Sequence, residues 1–216
     1  MEKIKKAKYT LGEEIVNAIT HGIGALFGIV ALVFTIIFSV KNNNIIGLIS
    51  SIIYGVSMIF MFSISCIYHA LSPKLKGKKI LRIIDHCDIY VFIAGCYTPF
   101  CLSTIGGTTG WIIFGINWTC AIIGVLLNSI NLEKFKIPSF IMYLIMGWMI
   151  IFSFKPLSAN LKPMGVNLLL LGGIIYTMGA VLYLIGSKIK YFHSVFHIFV
   201  LLGAIAQFFS ILLYSI

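Results

Sequence analysis

Charged residues are scarce in this chain of 216 residues, and acidic residues are the scarcest. Asp and Glu total six against sixteen Lys and Arg, and charged residues make up 10% of the chain while apolar residues make up 60%. A soluble globular domain carries about 25% charged residues, and a disordered chain is poor in apolar ones. The composition therefore excludes both classes and predicts an integral membrane protein with little mass outside the bilayer.

Proline and cysteine are also sparse, with five residues of each. So few prolines exclude a collagen-like chain. The cysteines form no CxxC pair and lie within apolar stretches, which excludes a disulfide-stapled miniprotein and favours free, apolar thiols. Cys66 lies three residues before His69, so a ligand role for its thiol stays open.

Long stretches without charge define the predicted spans, because a membrane helix needs about 20 mainly apolar residues. The first stretch is too long for a cleaved signal peptide, and a capping box of Thr10 and Glu13 predicts that its helix begins there. The glycine-rich run 106–110 divides an uncharged stretch that is too long for one helix. We predict an all-α protein with one domain over 1–216, a basic tail at 1–10, and seven transmembrane helices near 15–40, 45–70, 79–104, 110–130, 137–154, 165–187 and 191–215.

The basic residues are distributed unevenly between the two sides of the predicted bundle. Thirteen of the sixteen lie on the side that holds the N-terminus and the second, fourth and sixth connections. Because positive charge marks cytoplasmic loops, we predict a cytoplasmic N-terminus and a C-terminus outside. The charge is spread over four short segments, so the net charge of +10 gives no support to nucleic-acid binding.

Ionisable residues inside membrane spans are costly and usually functional. With the predicted orientation, all five histidines and Asp85 lie in the cytoplasmic leaflet, on helices distant in sequence. His193 and His197 are four residues apart, so they share one helix face and suit one zinc ion. Ser65 and His69 have the same spacing on the second helix. The third imidazole and the acid favour a catalytic zinc site with an open fourth position over histidines that only hydrogen-bond across the bundle.

The other polar residues of the spans also have ordinary structural interpretations. The Ser65 hydroxyl could equally bond its own helix backbone. Asp85 could pair with Arg82 or a nearby lysine, whereas Asp88 lies deeper, which weakens that interpretation for it. In the first helix, Asn17 and His21 suit capping or cross-linking of that helix. The possible accessory residues of the site are His21, Asn17, Asp88 and Glu14.

Four segments resemble the signatures of bacterial hemolysin III proteins, within the progestin and adipoQ receptor superfamily that includes the adiponectin receptors. They are residues 14–22 (EIVNAITHG), 65–69 (SCIYH), 85–86 (DH) with 93–99 (IAGCYTP), and 193–197 (HSVFH). The resemblance runs from about residue 10 to the C-terminus and implies seven helices with the N-terminus inside. It also implies zinc held by His69, His193 and His197, contact between Asp85 and the zinc through water, and Ser65 beside them.

The predicted function is that of a zinc-dependent lipid hydrolase in the plasma membrane of a bacterium. The wider resemblance extends to alkaline ceramidases and suggests an amide or ester bond, with the acyl chain between the helices. In that mechanism zinc lowers the pKa of water, Asp85 accepts its proton and Ser65 helps to hold the oxyanion. A non-enzymatic zinc-stabilised sensor, a pore-forming haemolysin and a proton relay through the histidines stay open.

Two other seven-helix classes do not fit the sequence, and no particular protein partner is predicted. A retinal protein needs a lysine in its last helix, and none follows Lys190. An ion-coupled transporter would show paired broken helices and charges at the membrane midplane. Neither feature is visible in the sequence.

Overall fold

The computed structural model describes residues 9–185 and 189–216. Within them, seven helices are long and apolar enough to cross a membrane, which confirms the predicted all-α membrane bundle. The predicted end of the sixth helix at 187 and most of the predicted basic tail lie outside the described residues. The helices are α1 (Leu11–Lys41), α2 (Ile45–Ala70), α3 (Gly77–Ile105), α4 (Gly107–Asn131), α5 (Lys136–Asn160), α6 (Pro163–Leu184) and α7 (Phe192–Tyr214).

The first helix begins at the predicted capping box. The backbone N–H of Glu13 donates to the Thr10 hydroxyl at 3.3 Å, and the backbone N–H of Thr10 donates to the Glu13 carboxylate at 2.8 Å. These reciprocal bonds satisfy two backbone donors that a helix N-terminus would otherwise leave unpaired. α1 therefore starts at Leu11, four residues before the start that hydropathy alone predicts.

α5 is longer than the predicted span 137–154 because it changes geometry on the way. Lys136–Trp148 is α-helical, Met149–Ser153 forms a 3-10 segment, and Phe154–Asn160 is α-helical again. A lysine and Pro156 follow the apolar run, so a hydropathy count ends the helix early. Proline is compatible with the first turn of the new helical segment, where its missing N–H would lack a helical partner in any case.

α3 is the central helix of the bundle although it is the least apolar of the seven. Its most apolar window is 72% buried, against 28% for α1, α4, α5 and α6. It packs between α2 and α4, and its Gly95 lies directly against Ser57 of α2. Because α3 carries Asp85 and Asp88, its central position keeps both carboxylates away from lipid, where they would be costly.

The outer face of the bundle is apolar, as a lipid-facing surface requires. Leu26 is 67% exposed, Trp111 62% and Leu126 57%. On a soluble protein such a surface would be an aggregation liability, whereas in a bilayer it contacts acyl chains. The burial pattern and the seven spans together make this a multi-pass membrane protein.

The connection between α3 and α4 lies at the predicted glycine run. The last turns of α3, Phe100–Ile105, are π-helical. Gly106 and Gly107 then adopt φ values of 63° and 52°, which residues with a side chain rarely adopt. The two glycines reverse the chain within a very short distance, so α4 begins immediately beside the end of α3.

The tight contact after this turn can be tested at Gly110. A methyl group there would press against the carbonyl oxygen of Cys101, whereas a methyl group at Gly115 of the same helix would meet nothing within 4 Å. We expect Gly110→Ala to destabilise the fold by about 1–3 kcal/mol, because a main-chain oxygen cannot move aside cheaply. The measurement is the apparent Tm of purified protein in detergent.

The matched control is Gly115→Ala, which should leave the apparent Tm unchanged or raise it slightly, because alanine favours helix over glycine. Equal melting temperatures for the two variants would show that the α3–α4 contact at Gly110 is not tight.

Candidate metal centre

Three buried histidines from α2 and α7 meet inside the bundle. His69 lies in the last turn of α2, and His193 and His197 lie in the first turns of α7. They are 2%, 8% and 2% exposed, respectively. One ring nitrogen from each lies within 4.8 Å of the other two. The structure thus brings together, from opposite ends of the sequence, the three residues that the sequence analysis predicts as metal ligands.

The nitrogens of this triad, His69, His193 and His197, are spaced as ligands of one ion would be. Nε2 of His193 and Nε2 of His197 are 3.1 Å apart, and two nitrogens bound tetrahedrally to zinc at about 2.0–2.1 Å would lie about 3.3 Å apart. A hydrogen bond between the two rings would also explain this distance. That hydrogen bond would leave Nε2 of His69 unexplained, since this buried atom has no hydrogen-bond partner among the described residues.

The composition of the triad indicates the kind of metal site it could form. Among the described residues, no Cys, Asp or Glu joins the three histidines in this group. A structural zinc site fills four positions with protein ligands, whereas three ligands leave one position open for water or substrate. The triad could therefore hold a metal ion, and its imidazole donors suit zinc among the transition metals.

Glu14 of α1 fixes the orientation of His69. Its Oε2 lies 2.5 Å from Nδ1 of His69, and its Oε1 accepts from Nζ of Lys78 at 2.8 Å. Lys78 also donates to the backbone carbonyl of Leu71 at 2.8 Å, just after the end of α2. A carboxylate at Nδ1 makes that nitrogen the protonated one and leaves Nε2 as the metal-binding atom. The sequence analysis predicts Glu14 as an accessory group but counts Lys78 only toward orientation.

Two further α1 residues contact the triad. Nδ2 of Asn17 lies 3.4 Å from Nδ1 of His69, so Asn17 packs against His69 where α1 meets α2, while the Nδ1 proton points to Glu14. His21 stacks on His197 with ring centroids 3.8 Å apart, and within the described part of the chain neither of its ring nitrogens has a hydrogen-bond partner. His21 therefore supports the His197 ring from the side and lies outside the group of three ligands.

A cavity of about 160 Å³ opens beside the triad. Ser65, Asp85 and His86 line it together with His193 and His197. The Ser65 hydroxyl lies beside the Asp85 carboxylate, and Oδ2 of Asp85 is 3.6 Å from Nδ1 of His86. The predicted acid and hydroxyl thus lie in the same cavity as two of the three histidines. Their catalytic roles stay predictions.

The two acids of α3 have different surroundings. Asp88 is 2% exposed and is absent from the cavity lining. Neither of its carboxylate oxygens has a hydrogen-bond partner in residues 9–185 and 189–216. Arg82 pairs with Glu133 at 2.6 Å rather than with an α3 acid. Of the two acids, Asp85 lines the cavity and Asp88 does not, and the choice of Asp85 as the acid of the site stays a prediction.

The residues just before α1 cover the triad at the end where α2 finishes and α7 begins. Tyr9 stacks on His193 with ring centroids 4.6 Å apart and an interplanar angle of 12°. Burial raises the pKa of the Tyr9 phenol well above its usual range. Oε1 of Glu13 accepts from the backbone N–H of Tyr191 at 2.8 Å, which ties the start of α1 to the start of α7. The sequence analysis misses Tyr9, because no motif precedes the capping box.

The fold and the site together define a seven-helix membrane protein with a buried three-histidine centre. The family model described as "Haemolysin-III related" matches residues 9–208. The chain belongs to the haemolysin-III-related family, and this confirms the resemblance inferred from its sequence motifs.

Individual relatives agree with this assignment. The chain is 45% identical over 208 residues to the "Hemolysin-3 homolog" of Bacillus subtilis (strain 168), with 96% of this chain and 97% of the relative covered. It is 42% identical over 214 residues to "Hemolysin-3" of Bacillus cereus, with 99% and 96% covered. The human "Monocyte to macrophage differentiation factor" is 28% identical over 152 residues, with 65% and 60% covered. No solved structure matches the chain.

Metal content tests the triad directly. We expect the purified protein to carry about one zinc ion per chain, and His69→Ala, His193→Ala or His197→Ala to lose most of it, because each removes one of three ligands. The measurement is elemental analysis by mass spectrometry after dialysis. His86→Ala is the control, since His86 lines the cavity outside the triad. Metal-free wild-type protein, or triad variants that keep their zinc, would refute the assignment.

The role of Glu14 predicts a graded effect on the same site. We expect Glu14→Ala to weaken zinc binding by about 10–100-fold, because His69 loses the carboxylate that holds its ring and raises its basicity. Competition with a chelator of known affinity measures this change. Glu133→Ala is the control, because Glu133 pairs with Arg82 in an exposed position. An unchanged zinc affinity in Glu14→Ala would mean that Glu14 only joins helices.

Proposed function

We propose that this protein is a zinc-dependent hydrolase that cleaves an amide or ester bond of a membrane lipid. The observation that carries the proposal is the placement of Asp85 and Ser65 in one cavity with His193 and His197, which lie within ligand distance of His69. Three ligands, an acid, a hydroxyl and an adjoining cavity are the parts that metal-assisted hydrolysis requires.

Zinc fits the residues that are present. The three ligand atoms are imidazole nitrogens, and the buried Nε2 of His69 has no other partner. When bound, zinc would act as a Lewis acid and lower the pKa of water toward about 7. Glu14 and Lys78 would keep His69 in the tautomer that leaves Nε2 free.

The residues of the cavity supply the remaining steps. Asp85 would accept the proton of the attacking water, and the Ser65 hydroxyl beside it would donate a hydrogen bond to the oxyanion that develops on the substrate carbonyl. Asp85 would then return the proton to the leaving amine or alcohol. Tyr9, stacked over His193, would limit access of bulk water to this end of the cavity.

The lining beyond these polar groups suits an acyl chain. It is built largely from apolar side chains of α3, α5, α6 and α7, with Phe92, Ile93, Leu144, Ala180 and Val200 among them. An acyl chain transferred there from the bilayer would keep apolar surroundings, while its carbonyl end approached Asp85. The proposed partner is therefore a membrane lipid or its fatty acyl chain.

We also propose that the site lies in the cytoplasmic leaflet of a bacterial plasma membrane. The support is the distribution of basic residues, thirteen of which lie on the side of the bundle that holds the N-terminus. The triad lies at the end of α2 and the start of α7, which is that same side. The Bacillus origin of the two relatives agrees with a bacterial membrane.

A non-enzymatic sensor built on the same site is the second candidate. Tyr9 covers the triad, and a metal that joined α2 to α7 beneath it would stabilise the bundle without activating water. In that case metal removal would lower the apparent Tm, and Asp85 would have no effect on any turnover. Pore formation is supported only by the names of the Bacillus relatives.

Paired variants of the two α3 acids test the hydrolase proposal. Zinc-loaded protein is incubated with a panel of N-acylated and O-acylated membrane lipids, and released fatty acid is measured by mass spectrometry. We expect Asp85→Asn to lower turnover at least about 100-fold while zinc content stays normal, because the proton acceptor is lost.

Asp88→Asn is the matched control. This substitution makes the same chemical change one turn away from Asp85, and Asp88 does not line the cavity. It should keep wild-type turnover. An absence of turnover across the panel by zinc-loaded wild-type protein, or equal loss in both variants, would contradict the proposed function.

A further inference from the structure

The cavity beside the triad is polar at its far end as well. Cys96 of α3, Tyr176 of α6 and Gln207 of α7 line it there; we call these three residues the floor cluster. The Tyr176 hydroxyl and the Gln207 Oε1 are buried without a hydrogen-bond partner among the described residues. Such groups are normally paired in a folded protein, because leaving them unpaired costs free energy.

Helix packing brings the members of the floor cluster together. Gln207 packs against Gly172 of α6, and Tyr176, one turn further along α6, packs against Gly203 of α7. Tyr54 of α2 is close enough to Tyr176 to interact with it electrostatically. It is fully buried, its hydroxyl has no hydrogen-bond partner among the described residues, and it does not line the cavity. The far end of a mostly apolar cavity therefore presents one phenol, Tyr176, and one amide, Gln207, whose polar atoms lack a hydrogen-bond partner among the described residues.

Two helices independently give the distance from the polar end of the cavity, at His197 and Asp85, to the floor cluster. Gln207 is ten residues after His197 on α7, which corresponds to about 15 Å along the helix axis. Cys96 is eleven residues after Asp85 on α3, which corresponds to about 16 Å. The floor cluster therefore lies about 15 Å further into the bundle than the triad, a distance comparable with half the thickness of the hydrocarbon core.

We propose that the floor cluster is a second recognition site, which binds a hydroxyl group in the middle of an acyl chain. A hydroxyl both donates and accepts, so it can donate to the Gln207 oxygen and accept from the Tyr176 phenol. An extended chain with carbon–carbon bonds of about 1.5 Å advances about 1.25 Å per carbon, so a span of 15–16 Å corresponds to roughly 12 carbons from the carboxyl end.

This inference rests on one part of the proposed function, namely that an acyl chain occupies the cavity. It does not require hydrolysis. A plain saturated chain would leave Tyr176 and Gln207 unpaired, whereas a chain hydroxylated at the right depth would satisfy both. Water molecules could also fill the floor, and in that case the protein would not distinguish the two chains.

The experiment is a competition between fatty acids for the purified full-length protein. Octadecanoic acid is mixed in equal amounts with its 3-, 12- or 17-hydroxy derivative, and the bound acid is identified by mass spectrometry after removal of free lipid. We expect 12-hydroxyoctadecanoic acid to be enriched roughly fivefold to tenfold over octadecanoic acid, because it gains hydrogen bonds to buried groups. The 3- and 17-hydroxy acids should show no enrichment.

Substitutions in the floor cluster test whether it causes the preference for 12-hydroxyoctadecanoic acid. Gln207→Leu and, independently, Tyr176→Phe should each reduce the enrichment of the 12-hydroxy acid while octadecanoic acid still binds. Asn117→Leu is the matched control, because Asn117 is a fully buried amide on α4 with no hydrogen-bond partner for either of its polar atoms, and it does not line the cavity. It should keep the full enrichment.

The outcomes separate this inference from the proposed function. Equal binding of the plain and hydroxylated acids, or enrichment that persists in both floor variants, would overturn the inference and leave lipid hydrolysis untouched. Enrichment by a protein that hydrolyses nothing in the lipid panel would support the inference and contradict the hydrolase proposal. If neither acid binds, the acyl-chain occupant is wrong and the inference falls with it.

Discussion

The burial of several imidazoles at one point is the constraint on which the rest of the structure depends. A neutral imidazole has one donor and one acceptor nitrogen, and a bilayer core supplies no water to pair them. Glu14 satisfies Nδ1 of His69, but Nε2 of His69 remains without a protein partner. Nε2 of His193 and Nε2 of His197 lie 3.1 Å apart, so one proton between them satisfies that pair and leaves Nε2 of His69 over, whereas a single cation could bind all three nitrogens. The position of each polar group around the triad follows from this requirement.

The same constraint explains how α1 is oriented within the bundle. The inner face of α1 is not an apolar stripe, because its buried residues are polar or small. Its buried residues near the triad are Asn17 and His21, followed at helical spacing by Gly24 and Gly28. In a membrane the lipid is as apolar as the core, so helices are held together by polar contacts and close packing of small residues. α1 turns its few polar groups toward His69 and His197 and its glycines toward α2.

The spans and the triad were accessible to sequence reasoning because they depend on quantities that a sequence contains. Hydropathy locates the helices, alternation of basic residues gives relative depth, and the spacing of His193 and His197 places them on one face. The choice between Asp85 and Asp88 was not accessible, because three residues along a helix change the depth little, and only packing decides which carboxylate reaches the cavity. The Lys78–Glu14 pair and the Tyr9 stack were also inaccessible, because each depends on how a short connection folds back over the triad.

The contacts around the triad fall into two groups by position in the chain: an early part from the first three helices, and a closing part from the last helix. Glu14, His69 and Lys78 belong to the first three helices, and chain closure between α1 and α2 spans few residues, so it costs little entropy. His193 and His197 follow more than 120 residues later, after every other span. With Glu14 already bonded to His69 and Lys78, Nε2 of His69 is left without a hydrogen-bond partner among the described residues. The arrival of α7, tied to Glu13 through Tyr191, brings the remaining nitrogens to that atom. The three histidines could therefore hold a metal ion only when the first and last helices are in place together, so that formation of the site would report closure of the whole bundle.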